Sequence, residues 1–134
     1  MQITRQADYA LRAIMYLARL GPNERAATKK IAEMQKIPPS FLAKIISQLS
    51  IAKLIETNRG ARGGVVLARP ASEISLLEVV EAIDGPIELN ECTASPGRCE
   101  NAENCPLHDI WQEVQDELVS KLRNTTFDKY AQKK

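Results

Sequence analysis

The double proline in Ile37-Pro38-Pro39-Ser40 constrains the fold more than any other feature of the chain. Proline suits the first position of a helix, and it pushes the residue before it out of the α region. The chain must therefore turn sharply here and begin a helix near Pro39. Leu42, Ile45, Ile46 and Leu49 then fall on one face as a buried stripe. Ser40, Phe41, Ala43, Lys44, Ser47 and Gln48 are left for the other faces. Upstream, Thr28 reads as the N-cap of a shorter helix that turns Ile31 and Ala32 inward. Two short helices joined by a tight turn make a helix-turn-helix.

The flanking sequence fits that reading. Leu54-Ile55-Glu56-Thr57-Asn58 and Gly64-Val65-Val66-Leu67-Ala68 are short β-type runs around the Gly-rich stretch Arg59-Gly60-Ala61-Arg62-Gly63. A hairpin directly after a helix-turn-helix is a wing. Ala7, Ala10, Leu11, Ile14, Leu17 and Ala18 recur at helical spacing, so a first helix is expected from about Thr4 to Leu20, ended by Gly21-Pro22-Asn23. Ser75 caps a further helix through Leu76, Leu77, Val79, Val80 and Ile83, which Asp84-Gly85-Pro86 stops. Residues 87–105 show no periodicity and hold all three cysteines. A loop of that length inside a compact chain is usually functional. Pro106 opens the last helix, whose Leu107, Ile110, Trp111, Val114, Leu118 and Leu122 form a dimerisation-type stripe. The tail from Asn124 to Lys134 is expected to fray. The expected architecture is mainly α with a small β-hairpin. It comprises a winged helix-turn-helix over 1–86, a loop over 87–105, and a dimerisation helix with its tail over 106–134.

The formal net charge is only +1, but it is unevenly spread. Residues 1–70 carry twelve Lys and Arg against four Asp and Glu, and residues 71–134 carry six against thirteen. A basic first half is the footprint of a phosphate-binding module, and halves of opposite sign suggest different tasks. No apolar run approaches the ~20 residues of a membrane span. Arg5, Asp8 and Arg12 interrupt any signal-peptide core. A cytoplasmic location is expected, with no membrane partner. Three cysteines, an odd number, in a reducing compartment argue for ligands or reactive thiols over structural disulfides.

Two constellations carry chemistry. A recognition helix entering the major groove, where base edges are distinguishable, presents Ser40, Phe41, Lys44, Ser47 and Gln48. Phe41 either meets a thymine methyl or packs inward. Arg59 and Arg62 at the wing tip suit a minor groove, where narrow A·T tracts concentrate negative potential. The expected partner is double-stranded operator DNA. The second constellation is Cys92-x6-Cys99-x5-Cys105-x2-His108. Thiolates are soft ligands for iron–sulfur clusters or zinc. The spacings are too long for a zinc ribbon or knuckle, where C-x2-C pairs dominate. Structural zinc and free thiols stay open as alternatives. An enzyme is not expected: one histidine, no nucleophile–base pairing and no phosphate loop leave no credible site.

With these residues in hand, the chain resembles the IscR/NsrR-type iron–sulfur repressors of the Rrf-two superfamily along nearly its whole length. The residues that carry the resemblance are Ile3-Thr4-Arg5-Gln6-Ala7-Asp8-Tyr9-Ala10-Leu11-Arg12-Ala13, the wing Arg59-Gly60-Ala61-Arg62-Gly63-Gly64, the run from Ile74 to Pro86, and the three cysteines. The resemblance implies a homodimer that crosses its C-terminal helices on a partly palindromic operator. Arg59 matches the minor-groove arginine, and cluster state would set affinity or site choice. It also implies two ways to complete the ligand set. Cys105-Pro106-Leu107-His108 resembles the IscR arrangement around a 2Fe–2S cluster, which is favoured. Asp8 matches the NsrR arrangement, in which an aspartate of the second copy completes a 4Fe–4S site. The chain departs from the family at two points. The first cysteine gap is six residues where the best-known members have five. Position 43 is alanine where IscR has an acidic, site-discriminating residue, so promoter preference does not carry over. The expected function is a DNA-binding regulator, a repressor, that senses cluster status, redox state or nitric oxide. The rival is a cluster-free winged-helix repressor using zinc, a thiol switch or a partner protein.

Overall fold

A computed structural model describes residues 2–58, 63–90, 93 and 105–131. The first helix, α1, runs Arg5–Leu20. Thr4 caps it by accepting the Ala7 N–H at 3.1 Å. Its alanine-rich face (Ala7, Ala10, Ala13) with Ile14 and Leu17 is buried, so neighbouring backbones approach α1 closely. Helix α2 is Thr28–Gln35 and helix α3 is Pro39–Ile51. Between them Lys36 takes the left-handed conformation (φ 55°) and ends α2 by donating to the Ala32 carbonyl. Pro39 starts α3 from an extended Pro38, as the double proline demands. One correction falls at the start of α2. Ala27, not Thr28, occupies the N-cap, and no side chain caps the helix. The extended conformation needed at a cap is reached one residue earlier, because Ala26 is held in a β-bridge.

Strands β1 (Ile55–Asn58) and β2 (Gly64–Leu67) pair antiparallel, with Ile55 opposite Leu67 and Asn58 opposite Gly64. Ala26 and Val65 exchange both backbone hydrogen bonds, at 2.8 and 3.0 Å, which lays the chain before α2 against β2. Gly64 is required there. Its φ is +143°, and a Cβ would sit 2.8 Å from the Ala26 carbonyl oxygen. After a single 3₁₀ turn, helix α4 (Leu76–Asp84) starts from a complete Ser75/Glu78 capping box. The long helix α5 spans Pro106–Arg123, and a last turn, α6, spans Asp128–Ala131. The core gathers Ile14 and Leu17, Ile31, Leu42, Ile45 and Leu49, Leu54, Ile55, Val65, Ile74, Val79 and Phe127. A smaller cluster of Leu77, Val80 and Ile87 packs under Leu118, Val119 and Leu122 of α5.

The expected fraying after Asn124 is overturned for residues up to 131. Leu76 donates to the Thr125 carbonyl at 2.9 Å and Phe127 donates to the Ile74 carbonyl at 3.2 Å. Phe127 is 2% exposed and closes the core beside Ile14 and Ile74. A lone aromatic after a polar stretch has no periodicity, so its burial left no mark on the pattern.

Asp84 ends α4 with a charge that the helix dipole disfavours. Its carboxylate is spent on the neighbouring helix start: Oδ1 accepts the Thr4 hydroxyl at 2.5 Å and Oδ2 accepts the Thr4 N–H at 3.3 Å. The carboxylate thereby compensates the positive end of α1. Asp84→Ala is expected to cost about 1 kcal/mol and to lower the melting temperature by roughly 3–5 °C. A thermal melt followed by circular dichroism checks this, and an unchanged midpoint would dismiss the contact.

Candidate nucleic-acid interface and cysteine segment

Helix α3 offers one solvent face. Ser40, Phe41, Ala43, Lys44 and Ser47 are exposed, while Leu42, Ile45, Ile46 and Leu49 are buried. Ser40, Lys44 and Ser47 stand at spacings of four and three, so their donors project from one side of the helix. Phe41 is 44% exposed, and its ring leans on Tyr9 of α1 with centroids 6.3 Å apart. It neither enters the core nor stands free. Gln48 differs from the other four. It is half-buried, and its Oε1 is fully covered without a hydrogen-bond partner. Ala43 is exposed in the middle of this stripe, and a methyl there suits a thymine methyl. Arg59 and Arg62 lie outside the described residues; β1 and β2 lead directly into that segment from both sides.

Cys105 occupies the N-cap position of α5, half-buried and free. The His108 N–H donates to the Cys105 carbonyl at 3.1 Å, which closes the first turn and sets the two residues on it. His108 Nδ1 is buried and has no hydrogen-bond partner among the described residues. Cys92 and Cys99 lie outside the described residues, and no metal-holding group of three or more His, Cys, Asp or Glu occurs among the described ones. The donors among the described residues fit an iron–sulfur or zinc ligand set: a free thiol, and a buried imidazole nitrogen lacking a partner there. Asp8, in the first turn of α1, is engaged elsewhere, in an ion pair with Arg12 at 2.9 Å. Both side chains are about half exposed, so the pair is worth only about 0.3–0.5 kcal/mol and does not lock the carboxylate.

The start of the cysteine segment is tied to the rest of the fold by a residue that no sequence pattern singles out. The Leu89 N–H donates to Gln115 Oε1 on α5 at 2.9 Å, and Ile87 is buried beneath the same helix. Gln115 lies at the edge of the apolar stripe of α5, four residues after Trp111 and three before Leu118, where a glutamine carries no signal of its own partner. The apolar stripe of α5 divides into two. Leu118 and Leu122 pack on α4, whereas Leu107, Ile110, Trp111 and Val114 are 58, 52, 40 and 44% exposed. No helix among the described residues is long and apolar enough to cross a membrane.

A recognition helix with an exposed polar stripe, a paired wing and a basic first half define a winged helix-turn-helix DNA-binding regulator. The chain belongs to the Rrf2 family of iron-dependent transcriptional regulators, whose family model matches residues 3–133. It is 33% identical over 126 residues to an HTH-type transcriptional regulator of Mycobacterium tuberculosis, a match covering 94% of this chain and 78% of that one. To the HTH-type transcriptional regulator IscR of Escherichia coli it is 30% identical over 126 residues, covering 94% and 77%. Among solved structures, the oxidised form of CymR from Staphylococcus aureus superposes with a TM-score of 0.78 at 28% identity, covering 98% and 97% of the two chains. These relatives are transcriptional regulators, not enzymes.

Proposed function

We propose that the protein is a homodimeric repressor that reads its operator with α3 and the wing, and that an iron–sulfur cluster on Cys92, Cys99, Cys105 and His108 controls this binding. The observation that carries the proposal is the partnerless, buried His108 Nδ1 one turn from the free Cys105 thiol. Leaving a buried polar atom unpaired costs about 1–3 kcal/mol, and a ligand at this turn would give that cost a purpose. The likeness to IscR supports the same reading. A 2Fe–2S cluster with three thiolates and one imidazole is favoured; a 4Fe–4S cluster completed by Asp8 of a second copy is the alternative. When bound, the group would supply a centre whose oxidation, nitrosylation or loss changes its charge and bonding.

The chain's own residues explain how such a change would travel. Cys105 is the cap of α5, so a pull on it moves the first turn of that helix. Leu107, Ile110, Trp111 and Val114 are the exposed part of the same helix and form the surface we assign to the second copy. Gln115 ties α5 to the beginning of the cysteine segment. A shift of α5 would therefore alter the separation of two recognition helices. Half-sites lie about 34 Å apart or a multiple of it, so a small rotation prevents simultaneous docking. At the duplex, Ser40, Lys44 and Ser47 donate to base edges and phosphates, Phe41 offers an apolar edge, Gln48 borders them, and Arg59 and Arg62 enter the minor groove.

The likeness to the oxidised form of CymR favours one rival, in which the cysteines act as a thiol switch without iron. Protein purified without oxygen separates the two. The cluster reading expects a brown sample holding iron and acid-labile sulfide, whose affinity for its operator differs from that of the apo form. A colourless, iron-free sample that binds DNA differently after thiol oxidation establishes the switch instead.

A further inference from the structure

The wing carries a cation that does not belong to the wing's own sequence. Arg25 lies in the segment before α2, and its neighbour Ala26 is bridged to Val65 of β2 by both backbone hydrogen bonds. Gly64 lets this segment approach as closely as backbone allows. Arg25 therefore moves with the hairpin, although nearly forty residues separate them in sequence. Its side chain is exposed and is held at the end of β1. In the orientation that satisfies both of its polar atoms, the Asn58 carboxamide donates to the Thr57 carbonyl at 2.9 Å and its oxygen accepts from both terminal nitrogens of Arg25, Nη2 at 2.7 Å. Asn58 is the residue immediately before Arg59, the first arginine of the wing tip.

Two features make this more than a surface hydrogen bond. The clamp is neutral. Asn58 fixes the guanidinium without cancelling its charge, and no carboxylate among the described residues pairs with Arg25. By contrast Arg12 and Arg69, which also lie in the basic half, are each paired with an acid. A guanidinium has five N–H donors, so the clamp leaves others for a further acceptor, and a side chain held this way loses less entropy on binding than a free one. The second feature is the setting. The first turn of α2 holds Lys29 and Lys30 and no acidic residue, against the preference of the helix dipole. Arg25, Lys29 and Lys30 thus extend the basic surface from the wing's base toward the helix-turn-helix.

We propose that Arg25, pre-positioned by Asn58, binds a phosphate of the DNA backbone beside the wing and fixes the angle at which the hairpin meets the duplex. The proposal rests on the DNA-binding reading but is independent of any cluster. Its test is the salt dependence of binding to a mixed-sequence duplex, measured with the full-length protein. Each phosphate contact contributes about 0.9 to the slope of log K against log salt. Arg25→Gln, which retains an amide donor for Asn58 but no charge, should lower the slope by about 0.9 per bound copy and weaken binding on the order of tenfold. Arg25→Lys should keep the slope and lose only part of the affinity, since the charge remains and the fork does not. Asn58→Ala should also keep the slope. A merely structural role would show differently: Arg25→Gln would lower the melting temperature and leave the slope intact. An unchanged slope in Arg25→Gln overturns the proposal, whatever happens to stability. Absence of duplex binding by the unsubstituted protein would instead overturn the DNA-binding reading itself.

Discussion

Phe127→Ala is expected to lower the unfolding free energy by about 3–5 kcal/mol, the largest stability effect of any single substitution outside the helix-turn-helix. The ring is 2% exposed and packed among residues from α1 and the Ile74 turn. Its removal leaves a cavity that three surrounding elements cannot collapse to fill. The loss compares with a total of roughly 5–15 kcal/mol for a domain of this kind. Urea denaturation gives the value directly. Thr126→Ala is the control. Thr126 is half-buried and its hydroxyl bonds to nearby Asp128, so its effect should stay well below that of Phe127, within about 1 kcal/mol. A cost below about 1 kcal/mol for Phe127→Ala would mean that the terminal segment does not close the core. The consequence reaches beyond stability. The backbone bonds from Ile74 and Leu76 to residues 125–127 fasten the far end of α5 to the start of α4, which packs in turn on α3. A chain whose last turn is loosened should pass less of any motion in α5 to α3.

The elements legible in the sequence are those fixed by local chemistry. Pro39 placed the start of α3, Ser75 placed that of α4, and the 3.6-residue stripe of Leu42, Ile45, Ile46 and Leu49 named the buried face of the recognition helix. The hairpin followed from two β-type runs around glycines, and its register is the one that leaves Asn58 opposite Gly64. What stayed hidden is held by pairing between distant segments. The Ala26–Val65 bridge, the Thr125–Phe127 return onto Ile74 and Leu76, and the Leu89–Gln115 tether each join residues whose own neighbourhoods are unremarkable. The same division runs through the site. Lys44 and Ser47 were visible because a helix face predicts them. Arg25 was not, because its importance lies in what Asn58 does to it. The α5 stripe was legible as a stripe, but sequence alone could not divide it into a half that covers α4 and a half that faces solvent.

If the proposed cluster is present, Cys105→Ala is expected to remove it, taking bound iron and sulfide to near zero, while the protein stays folded. Cys105 makes no side-chain cap for α5 and is half-buried, so the fold loses little with its thiol. Cys92→Ala should leave the same folded, cluster-free dimer; full cluster content in either variant removes that cysteine from the ligand set. The fourth ligand is decided by two further substitutions with opposite expectations. Asp8→Ala breaks an exposed ion pair worth about 0.3–0.5 kcal/mol and should leave both fold and cluster intact. His108→Ala removes a buried nitrogen that has no partner among the described residues. Stability of the apo form should therefore change by less than about 1 kcal/mol, because lost packing is offset by the relief of an unpaired polar atom. Cluster retention and the visible spectrum should change sharply. A substitution that is harmless to the apo fold and severe for the cluster is the signature of a residue kept for binding. Visible and Mössbauer spectra of oxygen-free samples, with iron analysis, make the comparison. If Asp8→Ala empties the site and His108→Ala does not, the ligand comes from α1 of a second copy. The cluster would then bridge two chains directly, and its loss would act on the dimer rather than through the first turn of α5.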